Sequence, residues 1–108
     1  MGTKFRYLAR TGTLEMRQFR PDDRLVRNQD ILATDLDQET VLMSIDAGAY
    51  YGLAETAQTI WRMLETPLTF SALVTQLVAT YNVPPDACAS DLREFLDALE
   101  QEGLLRVE

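Results

Sequence analysis

The chain has 108 residues, 46% of them apolar, with 10 basic and 17 acidic side chains and a net charge of −7. That length supports one domain around one modest core, and no apolar run approaches the ~20 residues of a membrane span. Histidine is absent and Cys88 is the single cysteine, which removes the commonest general base and metal ligand and any internal disulfide, so composition argues against an enzyme and fits a reducing, cytoplasmic setting.

Charge is uneven along the chain. Lys4, Arg6, Arg10, Arg17, Arg20, Arg24 and Arg27 stand against Glu15, Asp22 and Asp23, so residues 1–27 carry +4 while the remainder carries −11. Residues 1–23 are therefore read as a basic arm on an acidic body, able to stay solvated, bind an acidic partner or fold back. Phe5, Tyr7 and Leu8 make a short strand conceivable within it. Met16 is an alternative start, which would make residues 1–15 a vector-derived or fused segment. No apolar stretch near the start has the length of a secretory signal core.

Residues 31–53 read as a three-stranded antiparallel meander. Residues 31–34 lead into an acidic turn at residues 35–39, and residues 40–45 are the most β-prone run of the chain. Asp46, Ala47 and Gly48 supply the second turn, Gly48 being free to take positive φ. Residues 50–53 form the third strand, and alternation places Tyr51 and Leu53 towards the core with Tyr50 on the opposite face.

Three helices follow. Ala57, Ile60, Trp61 and Leu64 form one apolar stripe, ended by Pro67. Thr69 or Ser71 caps a second helix carrying Leu73, Val74, Leu77, Val78 and Tyr81. Pro84 breaks the chain, and Pro85 opens a third helix whose stripe is Cys88, Leu92, Phe95, Leu96 and Leu99, with Gly103 as its C-cap. Residues 104–107 add a short strand or simply pack. The fold class is α+β, winged helix-turn-helix-like, with a three-stranded antiparallel sheet followed by three helices.

No nucleophile–base pair is visible, and Cys88 falls on a buried stripe as a core thiol. The acids Asp91, Glu94, Asp97, Glu100 and Glu102 read as the solvated face of the third helix, and Asp35, Asp37 and Glu39 as turn residues without calcium-loop spacing. No metal and no cofactor is expected. A winged-helix fold invites DNA binding, but the third helix has Arg93 as its only base and would repel phosphates, so no nucleic-acid partner is expected. The outer side of the third strand is the open question. It lacks the charge or proline that usually blunts an edge, so the arm, a second copy or an added peptide strand must account for it.

Taken in order, residues 39–45, Tyr50-Tyr51-Gly52-Leu53, residues 60–65, Leu73-Val74 with Leu77, residues 81–83, and residues 91–99 ending at Gly103-Leu104-Leu105 resemble the PqqD family. These are RiPP recognition elements, small winged-helix domains that bind leader peptides of ribosomally made, later modified natural products. The resemblance covers about residues 24–107, so residues 24–108 are taken as the domain. It departs at Ala54, where the family often has an asparagine cap, and at Glu65-Thr66-Pro67, where an aspartate-glycine turn is usual.

What the resemblance implies is a leader lying antiparallel along the third strand, in a cleft walled by the third helix. Carried over, the backbone of Ala49, Tyr50, Tyr51, Gly52 and Leu53 would bond the leader, and Asp91, Glu94, Phe95 and Ala98 on an exposed flank would form the wall. The acidic helix would favour a leader with lysine or arginine near the bound segment. The chain is then expected to be a non-catalytic protein presenting a precursor to a separate modifying enzyme, a protease–cyclase pair or a radical enzyme. The aromatic strand followed by Ile60-Trp61 leans towards lasso-peptide maturation. The alternative is a small dimerising scaffold, a homodimer through the third strand, or a winged-helix regulator.

Overall fold

The computed structural model of the chain describes residues 18–108. The expectations for residues 1–17, the short strand at Phe5, Tyr7 and Leu8 and the role of the arm, lie outside them. The described chain runs β1 (Arg24–Arg27), β2 (Leu32–Asp35), β3 (Glu39–Ser44), β4 (Ala49–Ala54), α1 (Thr56–Met63), β5 (Leu68–Thr69), α2 (Phe70–Tyr81), α3 (Pro85–Gln101) and β6 (Leu105–Val107).

The anticipated meander is the sheet β2-β3-β4, antiparallel throughout, with Leu42 opposite Ala33 on one side and Tyr51 on the other. Its first turn is closed by backbone bonds between Leu36 and Glu39. In the second, Gly48 N–H donates to the Ile45 carbonyl at 3.2 Å. Gly48 sits at φ 64° there, a conformation that costs glycine nothing.

A second sheet was not anticipated beyond its last strand. β1 lies at its centre, antiparallel to β5 on one side and to β6 on the other. Leu25 and Val26 are consecutive and both buried, so β1 lacks the alternation by which a half-buried strand is read. β5 has only two residues. The sheet gathers the two ends of the body: Asn28 N–H donates to the Leu104 carbonyl at 3.0 Å and Glu108 N–H to that of Arg24 at 2.8 Å. Residues 18–23, counted with the arm on sequence, pack against this body. Phe19 is buried and stacks on Phe70 with ring centroids 5.9 Å apart, and Ser71 N–H donates to the Pro21 carbonyl.

The helices start and stop for identifiable reasons. α2 is capped by Thr69, whose hydroxyl accepts the Ala72 N–H at 3.1 Å, and ends at Asn82 in the left-handed region (φ 53°, ψ 54°), where asparagine is tolerated. Pro85 occupies the first turn of α3 and Gly103 follows its end at φ 75°. α1 has no side-chain cap, in keeping with Ala54, and its N-cap Glu55 is held at φ 57°, ψ −125°. After α1 the chain turns through Leu64 at φ −86°. Glu65 and Thr66, which with Pro67 replace the usual aspartate-glycine turn, are not among the residues at positive φ, so no glycine is needed there.

The core joins both sheets and all three helices. Leu25, Leu42, Leu53, Ile60, Leu64, Leu73, Leu77, Leu92, Phe95, Leu96, Leu99 and Leu104 are fully enclosed, and full burial of such side chains contributes ~1.5–3 kcal/mol each. The three-helix, small-sheet arrangement is compatible with a winged-helix body. It leaves the β2-β3-β4 sheet with α1 and the end of α3 beside its last strand.

Candidate functional site: the edge of strand β4

β4 pairs with β3 over its whole length, from Ser44 opposite Ala49 to Glu39 opposite Ala54. Among the described residues it has no second neighbour. Alternate residues of such a strand direct N–H and C=O away from the sheet. Alternation falls as expected: Tyr51 and Leu53 are buried and Tyr50 is exposed. Gly52 leaves room for the Glu39 side chain, which lies close enough that a Cβ at Gly52 would stand 3.3 Å from its carboxyl carbon.

Tyr51 fixes the strand against the helical side. Its hydroxyl donates to Glu102 Oε1 at 3.0 Å, tying the middle of β4 to the end of α3. Burial, then the bond to Glu102 and its charge, push the phenol above its ordinary value. In the sequence Glu102 is marked only as part of an acidic run. Nothing local in the sequence marks this pairing, which spans about half the chain.

A polar chain, buried at Gln58 and Thr40 and reaching the surface at Asp35, anchors β3 to α1. Gln58 Nε2 donates to Thr40 Oγ1 at 3.1 Å, and Thr40 Oγ1 donates to Asp35 Oδ1 at 2.5 Å. Arg62 approaches the second Asp35 oxygen at 3.5 Å. The Thr40 hydrogen bond, with the charge of Arg62, holds the Asp35 carboxyl below its ordinary range despite some desolvation. Nearby, Arg27 donates to the Trp61 carbonyl and stacks its guanidinium 4.5 Å from the centre of the Trp61 ring. Burial lowers the Arg27 pKa.

The proposed wall on α3 divides. Asp91 and Glu94 are half-buried. Phe95 and Ala98 are not on an exposed flank; both are wholly enclosed. The physical reason is position: Phe95 falls on the same stripe as Leu92, Leu96 and Leu99 and joins the core with them, and residues 95–99 are buried without interruption. Arg93 lies over the Phe70 ring, 5.2 Å from its centre, so the one base of this helix packs on the core rim. Cys88 is a core thiol whose pKa is raised by burial and by the Asp91 charge, which keeps it protonated and weakly nucleophilic at neutral pH. Among the described residues no group of three or more His, Cys, Asp or Glu could hold a metal ion, and no helix is long and apolar enough to cross a membrane.

The family model described as coenzyme PQQ synthesis protein D (PqqD) matches residues 39–105, from the start of β3 to the start of β6. The chain belongs to the PqqD family. A solved structure, TbiB1 in complex with the TbiA(beta) leader peptide, is similar to this PqqD chain at 31% identity, covering 75% of this chain and 94% of that one with a TM-score of 0.71. No curated protein matches it. The PqqD match takes in β3, β4 and α3, and so includes both elements that Tyr51 and Glu102 join.

Proposed function

We propose that the chain captures the leader segment of a ribosomally synthesised precursor peptide by strand addition to β4 and presents it to a separate modifying enzyme. The observation that carries this reading is the one-sided pairing of β4 among the described residues, in a PqqD-family chain similar to a protein solved with a leader peptide. The domain is residues 24–108, with residues 18–23 packed on it.

Main-chain bonds from residues 49–53 supply grip that depends little on leader sequence, as in other strand-addition complexes. Selectivity comes from side chains: Tyr50 beside the added strand, and the half-buried acids Asp91 and Glu94 on α3. Phe95 and Ala98 act beneath this surface, as the packed floor that holds α3 in place. The acids favour a leader with lysine or arginine near its bound segment. The role is non-catalytic, the setting cytoplasmic, and the product class we favour is a lasso peptide, from the aromatic strand followed by Ile60 and Trp61.

The test is a set of leader peptides N-methylated one residue at a time, titrated by fluorescence anisotropy. Methylation removes one N–H donor, worth about 1 kcal/mol net, so affinity should fall about fivefold or more at every second position and little between. Loss that ignores this alternation would reject strand addition. A charge-reversed leader should also bind more weakly; equal affinity would reject the role given to the acids.

A further inference from the structure

We propose that the outward face of the β2-β3-β4 sheet, a surface separate from the β4 edge, docks a second protein whose contact area is apolar and rimmed by lysine and arginine, namely the modifying enzyme. The proposal rests on the leader-presenting reading for the identity of that partner.

β3 is patterned against expectation. In an antiparallel sheet with one wet side, apolar residues face inward and polar ones outward. Here two of the three buried positions of β3 are Thr40 and Ser44, whereas Val41 and Met43 point to the water side. The register continues the outward apolar row across the sheet, Leu32 opposite Met43 and Met43 opposite Tyr50. The exposed large hydrophobic residues among those described are Leu32, Leu36, Ile45 and Tyr50, all in this sheet or its turns. Apolar surface gathered on one face marks an interaction site, whereas scattered residues do not.

Charge selects the occupant. Between Arg27 and Arg62 there is no lysine or arginine, but there are six acids. Asp35 is engaged by Thr40 and Arg62, and Asp37, Glu39 and Asp46 are left as an exposed acidic rim. Two copies meeting through this face would oppose like charges, which disfavours a homodimer here. A partner with a basic rim is attracted instead. Tyr50 belongs both to this face and to the leader-bearing strand, so a protein seated here borders the captured leader.

The test measures the affinity of the purified modifying enzyme for the full chain and for its Leu32→Ser/Ile45→Ser variant, with and without leader. Neither substituted residue is in β4 or in the core, so leader affinity should stay within about twofold while enzyme affinity falls at least about tenfold. A second variant, Asp37→Lys/Asp46→Lys, should slow association and flatten its salt dependence. Unchanged enzyme binding in the first variant, or a wild-type chain that binds no enzyme in either condition, overturns the proposal. So does a wild-type dimer in sedimentation velocity that the first variant abolishes, since a second copy would then be the occupant. A chain that binds the enzyme through this face yet ignores the leader would instead refute the leader-presenting reading.

Discussion

Tyr50 and Tyr51 are neighbours with opposite surroundings, one exposed and one buried. Tyr51 gives the residue scale a pH signature. Its folded pKa lies above the ordinary 10.0, so the folded state holds its proton more tightly than the unfolded chain does. That stabilisation is complete below about pH 10 and is lost as pH rises from there through the folded pKa. Tyr51→Phe should remove this alkaline loss, measured as a flatter dependence of the urea midpoint between pH 9 and 11. Asp35 has the reverse sign. Its depressed carboxyl contributes stability above the ordinary 3.8 that fades as pH falls through the folded value. Thr40→Val should shrink that acid dependence. It also leaves the buried Gln58 amide without its acceptor, for an expected loss of about 1–3 kcal/mol by urea titration. None of these bonds was legible in the sequence, because Thr40 and Gln58 look like ordinary polar positions until register and burial bring them together.

At the scale of elements, what the sequence disclosed and what it hid follow from how each element is stabilised. β3, β4 and the three helices were legible because their burial obeys a period: Leu42, Tyr51 and Leu53 by twos, Ile60, Trp61 and Leu64 by threes and fours. β2 is exposed throughout and was legible only from the acidic turn that follows it. β1 and β5 were hidden because two to four residues hold no period; they are strands only by virtue of each other and β6. The α2 cap was legible, and Thr69→Ala should cost about 1 kcal/mol of stability. The entry to α1 was half legible. Ala54 warned of a missing cap, but not that Glu55 would take φ 57°. A residue with a side chain is strained there, so Glu55→Gly should stabilise the fold by about 1 kcal/mol in thermal or urea unfolding. An unchanged or lower midpoint would mean that its side chain compensates for the strain.

For the molecule as a whole, the third strand was readable and the surroundings of α3 were not. Alternation marks residues 50–53 as a strand, whereas the assignment of residues 49–53 to a leader comes from the family resemblance and stands as a proposal. Phe95 lies on the apolar stripe that already marks it for the core, and only the family resemblance set it on an exposed flank. Ala98 lies off that stripe, and its enclosure depends on how the rest of the fold covers α3. On the proposed reading, an acidic body offers an edge to a peptide and an apolar face to a protein. Because the acids on α3 and around the sheet share one sign, raising salt should weaken capture of a basic leader while leaving the main-chain contribution in place.

The most direct measurement is amide hydrogen exchange of the full chain with and without saturating leader peptide, resolved to single residues across 49–54. Strand addition predicts that alternate β4 amides become strongly protected on binding, while those already bonded to β3 change little. A leader that binds tightly yet leaves every amide of β4 exchanging at its original rate would contradict the account.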